Sequence, residues 1–142
     1  MARLSLLWII HTTSNVANAD TENPFRLNVR ASAFPLPNGT WIRIQFPDIP
    51  SPDEREANAT DQYRFDYRRR SPDIEMSLLD GSDIEIEILG DDAWLPSSIW
   101  AIGEDADGTR RLIAGRPTWP TSVTNGWFST DTSEGRRARR LG

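Results

Sequence analysis

The chain is predicted to fold as an all-β protein, an antiparallel two-sheet β-sandwich of about eight strands, and three observations carry that prediction. Apolar and polar residues alternate with a period of two in segment after segment, while the 3.6-residue period of an amphipathic helix hardly appears. Ten prolines and nine glycines supply the frequent turns that short strands need. The 142 residues are enough for one domain with a self-sufficient core, and strands of this spacing make two packed sheets.

The first strand is read over Leu4–His11. Arg3, the apolar run Leu4 to Ile10 and Ala17-Asn18-Ala19 before Asp20 imitate a secretory signal. The run is at the bottom of the usual length, however, and His11 to Asn18 are polar. The segment is therefore expected to stay as a strand, which favours an intracellular or virion location. Next, Phe25, Leu27, Val29 and Ala31 share one face, with Arg26, Asn28, Arg30 and Ser32 on the other. Ile42, Ile44 and Phe46 alternate with Trp41, Arg43 and Gln45. Tyr63, Phe65 and Tyr67 alternate with Arg64, Asp66 and Arg68. Ile84, Ile86 and Ile88 alternate with Asp83, Glu85 and Glu87. Each set is a half-buried strand with one wet face.

Shorter strands are expected over Ile74–Leu79, Ser98–Ile102, Arg110–Ala114 and Gly126–Ser129. Turns are expected at Pro35–Gly39, Pro47–Pro50, Asp80–Ser82, Asp105–Gly108, Gly115–Pro117 and Thr124–Gly126. Ser51 to Thr60 has room for one helical turn, since Pro47, Pro50 and Pro52 exclude a long helix. No repeat or linker divides residues 1–134, which are read as a single domain. The composition of Gly135-Arg-Arg-Ala-Arg-Arg-Leu-Gly142 marks residues 135–142 as a basic C-terminal tail.

Charge is segmented along the chain. Residues 71–109 carry eleven acidic residues and no basic one, whereas residues 110–142 carry seven arginines against two acids. Such a chain attracts its own parts, a cation, or a neighbouring copy. Arg136, Arg137, Arg139 and Arg140 are candidate partner contacts. Four arginines without interleaved aromatics are a weak nucleic-acid signature, so pairing with protein acid is preferred to nucleic acid.

The chemistry of an enzyme is thin. Cysteine and lysine are absent, and the only histidine, His11, sits inside an apolar strand. No glycine-rich phosphate cradle and no histidine-bearing zinc motif is present.

Three phrases together resemble the PLAT (lipoxygenase homology, alpha-toxin-like) β-sandwich family. Ile10-His-Thr-Thr-Ser-Asn-Val-Ala-Asn-Ala-Asp-Thr-Glu-Asn-Pro-Phe-Arg-Leu27 is similar to the family's opening strand, loop and second strand. Ala59-Thr-Asp-Gln-Tyr-Arg-Phe-Asp66 is similar to the strand after its central loop. Asp83 to Trp100 is similar to its strand, acidic turn and Trp-Leu-x-x-Ile return. The resemblance runs from about Leu4 to Phe128. It departs at Asp20, where the family has glycine, at Glu22, where it has aspartate, and over Ser71–Leu79 and the tail.

The resemblance implies a PLAT-like sandwich, and in the calcium-binding members of that family two loops hold the metal. Carried over by position, the ligands are Asn18, Asp20 and Thr21 from the first loop, and Asp91, Asp92 and the Ala93 carbonyl from the acidic turn. Hard oxygen donors from two loops suit calcium, which takes six to eight oxygens. The resemblance also makes Trp94 a candidate for insertion into a lipid surface or a partner pocket. The competing reading is that Trp94, Leu95, Ile99 and Trp100 cap the open end of the sandwich and that Trp127 is packed.

These readings converge on a non-enzymatic recognition module that uses loops at one sandwich end, assisted by calcium. Its partner is another protein or further copies of itself, with a lipid surface as a third option. The alternative is a structural subunit of a larger assembly such as a phage virion or filament.

Overall fold

The computed structural model describes residues 2–16, 19, 21, 24–31, 40–47, 56–70, 73–122 and 126–142. The strands are β1 (Leu4–Thr13), β2 (Phe25–Ala31), β3 (Thr40–Gln45), β4 (Thr60–Asp66), β5 (Ile84–Ile88), β6 (Ala93–Trp94), β7 (Pro96–Asp105), β8 (Arg110–Arg116), β9 (Phe128–Ser129) and β10 (Ala138–Arg140). One four-stranded sheet has the order β4-β1-β7-β8, the other β10-β5-β2-β3, and β6 pairs with β9 as a short ribbon. The named pairings are all antiparallel.

The alternation read from the sequence sets which side chains go inside. Leu7 and Ile9 of β1, Phe25, Leu27 and Val29 of β2, and Ile84, Ile86 and Ile88 of β5 are all fully buried in one cluster between the sheets. Because the side-chain period is two, a one-residue slip would turn every isoleucine of β5 to the outside, so burial pins the register. A circuit of rings crosses this core. Phe25 meets Phe46 at 5.8 Å, Phe46 meets Tyr63 at 4.8 Å, Tyr63 meets His11 at 5.3 Å, His11 meets Trp94 at 4.8 Å, and Trp94 returns to Phe25 at 4.8 Å. Most of these contacts are edge-to-face or tilted, the geometry favoured by the aromatic quadrupole.

Several expectations are corrected. Ile74–Leu79 is not a strand: Met76–Leu78 is a single 3₁₀ turn. Its neighbours are committed to the N-terminus, with the Leu4 N–H donating to the Ile74 carbonyl at 2.8 Å and the Met76 N–H to the Ala2 carbonyl at 2.8 Å. Arg111 then holds the turn's carbonyls, donating to Met76 at 2.6 Å and Leu79 at 3.0 Å. Gly115 and Arg116 lie inside β8, so the chain turns only after them. Of Gly126–Ser129, only Phe128–Ser129 is strand. The turn at Asp105–Gly108 is present, with Gly108 at φ +81° where a side chain would be strained. Asp80 and Asp83 form a capping box at a second 3₁₀ turn, Gly81–Asp83. Residues 35–39, 48–55, 71–72 and 123–125, including most of the expected helical turn, lie outside the described residues.

The C-terminal residues are not a tail. Ala138, Arg139 and Arg140 pair with Glu87, Ile86 and Glu85 of β5, and Leu141 is buried, its N–H donating to the Ile84 carbonyl at 2.9 Å. The cause is Glu87. It lies on the outer face of its sheet yet is buried, and its carboxylate collects arginines from both ends of the chain. Arg26 donates to Oε1 from Nε and Nη2 at 2.9 and 2.7 Å, Asn28 donates at 3.2 Å, and Arg137 lies 3.4 Å from Oε2. Burial pushes the Glu87 carboxyl up, but these hydrogen bonds and the charges of Arg26 and Arg137 outweigh it. The group is held below the usual glutamate range.

Three expected outcomes follow. Ile86→Ala should cost about 2–5 kcal/mol by denaturant unfolding, from lost burial plus the residual cavity. Tyr67 is buried with a hydroxyl that has no hydrogen-bond partner, and desolvation raises its pKa above the ordinary tyrosine value. Tyr67→Phe should therefore leave Tm unchanged or raise it, because it removes an unsatisfied polar group; a clear loss of Tm would show a hidden partner. Glu87→Gln should cost about 1–3 kcal/mol at pH 7. A depressed carboxyl stabilises above its unfolded-state pKa of about 4.3 and loses that contribution as pH falls through the lower folded-state value. The deficit of Glu87→Gln against wild type should accordingly close on acidification below about pH 4. A deficit independent of pH would contradict it.

Candidate functional site

At the end of the sandwich where β1 finishes and β7 begins, two loops are brought together. The chain leaving β1 runs along the turn between β5 and β7: the Ser14 N–H donates to the Leu95 carbonyl at 2.9 Å, the Leu95 N–H to the Ala19 carbonyl at 3.1 Å, and the Leu89 N–H to the Pro24 carbonyl at 2.9 Å. Thr130 closes the other side, its hydroxyl donating to the Gly90 carbonyl at 3.0 Å. The sequence produces this locally because Gly90-Asp91-Asp92 is turn chemistry set between an apolar strand and an apolar Trp-Leu pair. The Asp92 carboxylate accepts the Ala93 N–H at 2.9 Å and so is oriented at the turn.

The candidate ligands fall as follows. Thr21 is buried, Asp91 and Asp92 are exposed, and Ala93 is half-buried as it enters β6. Asn18 and Asp20 lie outside the described residues. The pairing of the loop at Ala19 and Pro24 with the turn at Leu95 and Leu89 brings the two predicted segments side by side. Among the described residues, no group of three or more acidic or histidine side chains gathers as a metal cage.

Trp94 does not present itself to a partner. It is fully buried, touches His11, Phe25 and Phe128, and donates its indole N–H to the Thr13 hydroxyl at 3.0 Å. The capping reading describes it, as it does Leu95 and Ile99; Trp100, by contrast, sits half-exposed on the outer face of its sheet. Trp127 is partly buried against the core.

The four candidate arginines are spread around β10. Arg137 serves Glu87, and Arg139 donates twice to the Trp127 carbonyl, at 3.0 and 2.8 Å. Burial, with the charge of Arg136 beside it, lowers the Arg139 pKa from its ordinary value. Arg140 lies over the Trp41 ring at 5.3 Å, and Arg136 is exposed. The acidic stretch is likewise dispersed: Asp73 pairs with Arg3 at 3.0 Å, Asp83 with Arg30 at 2.8 Å and Glu104 with Arg110 at 2.9 Å. Sequence reasoning missed the Arg26–Glu87–Asn28 network, although its signal was present in the matched polar faces of β2 and β5.

No protein-family model matches the sequence, and no curated protein matches it. Among solved structures, the chain is similar to the alpha toxin from Clostridium absonum, with a TM-score of 0.65 and 17% sequence identity. The alignment covers 99% of this chain and 32% of the toxin chain, so this protein spans about a third of the toxin's length. At that identity the likeness speaks for the fold, an antiparallel β-sandwich of PLAT-like architecture.

Proposed function

We propose that the chain is a non-enzymatic interaction module whose recognition surface is the loop end, with calcium held between the first loop and the acidic turn. The observation that carries this reading is the clamp of backbone hydrogen bonds from Leu89 and Leu95 to the first loop, with Asp91 and Asp92 exposed beside it. The donors have the right character, since carboxylate and amide oxygens on two loops suit a hard cation in loose geometry. The ligand set is Asn18, Asp20, Thr21, Asp91, Asp92 and the Ala93 carbonyl. Calcium would screen the paired aspartates and fix the loop. The non-enzymatic part is supported by the position of the sole histidine: His11 is fully buried between Tyr63 and Trp94, away from any substrate, in a chain with neither cysteine nor lysine.

Calcium titration followed by thermal melting tests the metal. Binding to the folded state alone adds about 2.7 kcal/mol at a hundredfold excess over Kd. Millimolar calcium should therefore raise Tm, and Asp92→Ala should abolish the rise while leaving Tm in chelator near that of wild type. Identical melting curves for both proteins with and without calcium would remove the metal from the reading.

A further inference from the structure

We infer that the outer face of the β10-β5-β2-β3 sheet docks an acidic segment of a protein partner, through a layer of arginines that outnumber the carboxylates beneath them. The surface is separate from the loop end, so the proposal goes beyond that reading.

Strand register sets the composition of the face. Arg26, Asn28 and Arg30 of β2 point away from the core, with Gln45, Arg43 and Trp41 of β3 opposite them on one side. On the other side stand Glu87 and Glu85 of β5, and Asp83 just before them meets Arg30 at 2.8 Å. β10 adds Arg140 across from Glu85, and Arg137 reaches in from the residue before that strand. Five arginines thus share the face with three carboxylates. That is a surplus of two positive charges in a chain whose net charge is −5.

The two signs are also layered. The side chains of Glu87 and Asp83 are 9% and 6% exposed, whereas those of Arg26, Arg30, Arg43 and Arg137 are 35%, 26%, 46% and 62% exposed. Arg140 is exposed, and Asn28 is fully buried although it stands on an outer face. Solvent therefore meets guanidinium groups, with the acids underneath.

Internal pairing does not exhaust the layer. Arg26 holds Glu87 at 2.7 Å, while Arg137 and Arg43 lie 3.4 and 4.0 Å from the same carboxylate, which has a single charge to divide among three. Glu85 is taken by the Asn28 amide at 2.7 Å. Arg140 rests over the Trp41 ring at 5.3 Å and, among the described residues, has no carboxylate within ion-pair distance. A guanidinium offers five N–H donors, so these arginines keep donors for a carboxylate that arrives from outside.

Magnitudes select the occupant. Two surplus charges are matched by two carboxylates of one extended segment. They are few beside the roughly six to ten phosphate contacts of a nucleic-acid binder, or the roughly four to eight basic residues of an anionic-lipid site. Trp41, the aromatic on which a base would stack, already carries Arg30 at 5.5 Å and Arg140 at 5.3 Å. Glu87 itself receives two N–H bonds from Arg26, at 2.9 and 2.7 Å, so the spacing of these strands suits a carboxylate.

The test is fluorescence anisotropy with fluorescein-labelled hexaglutamate at low ionic strength. Wild type should bind it and release it at 1 M salt, where the Debye length is about 3 Å. Arg43→Glu and Arg140→Glu should each raise Kd about tenfold, because a like charge then faces the peptide. The two positions lie on different strands and make no side-chain hydrogen bond, so both variants should still melt cooperatively. Arg69→Glu makes the same charge change on the exposed stretch after β4, in the other sheet, and should leave Kd within about twofold. Absence of binding at hundreds of micromolar wild type overturns the proposal. An equal loss with Arg69→Glu also overturns it, since the interaction would then follow net charge and not this face. Tighter binding of an oligothymidylate than of hexaglutamate, lost with Arg43→Glu, overturns it and gives the face to nucleic acid. Co-sedimentation with phosphatidylglycerol vesicles without hexaglutamate binding overturns it in favour of lipid.

Discussion

Trp94 joins the parts of this protein that would otherwise be independent. Its ring touches His11 from one sheet, Phe25 from the other and Phe128 from the short ribbon, and its only polar atom is satisfied by Thr13. Burying an aromatic of this size removes some 150–250 Å² from water, worth about 4–6 kcal/mol before entropy is charged against it. The acidic turn is two residues away, so its position is dictated by that burial. Leu95, whose backbone holds the first loop through Ser14 and Ala19, follows the same tryptophan in sequence. The acidic turn thus stands directly on a packed aromatic core, which is what a recognition surface built on loops needs.

The two outer faces solve the problem of being exposed in opposite ways. On the β10-β5-β2-β3 sheet, Glu87 is buried among arginines that arrive from β2 and from the residues before β10. A buried carboxylate left without partners would be costly, so each arginine that closes over it ties a distant part of the chain to β5. The apparent polarity of the sequence, an acidic middle followed by a basic end, is cancelled by strand order: β5 lies between β2 and β10. On the β4-β1-β7-β8 sheet the outward residues are apolar at the centre, where the Arg110 guanidinium lies over the Trp8 ring, and charged toward the rim.

The strands were legible where one face is buried and the other wet. In β2, β3, β4 and β5 every second residue is apolar and faces the core, as the period of two requires, although Asn28 and Glu87 on the outer faces of β2 and β5 are covered as well. Met76–Leu78 was misread because Ile74, Met76 and Leu79 are buried just as strand residues would be, while the backbone groups that decide the matter are spoken for by Ala2, Leu4 and Arg111, all far away in sequence. The residues after Gly135 were misread for a related reason. Composition marks them as charged, and charge reads as solvated, yet Leu141 and the Glu87 network draw them into the sheet. For the loop end, the sequence named the two segments that meet, and it offered Trp94 both to a partner and to the core.

By itself, then, the amino-acid sequence determined the fold class, the inward face of each alternating strand, and the turn that carries Asp91 and Asp92, because all of these depend on local periodicity and turn chemistry. Only the tertiary structure decided that Trp94 faces inward, that the basic end is the edge strand β10, and that β1 shows a second apolar face to the outside. Those outcomes depend on which strands become neighbours, and neighbours such as Arg26, Glu87 and Arg137 are separated by many residues whose intervening geometry no local pattern encodes.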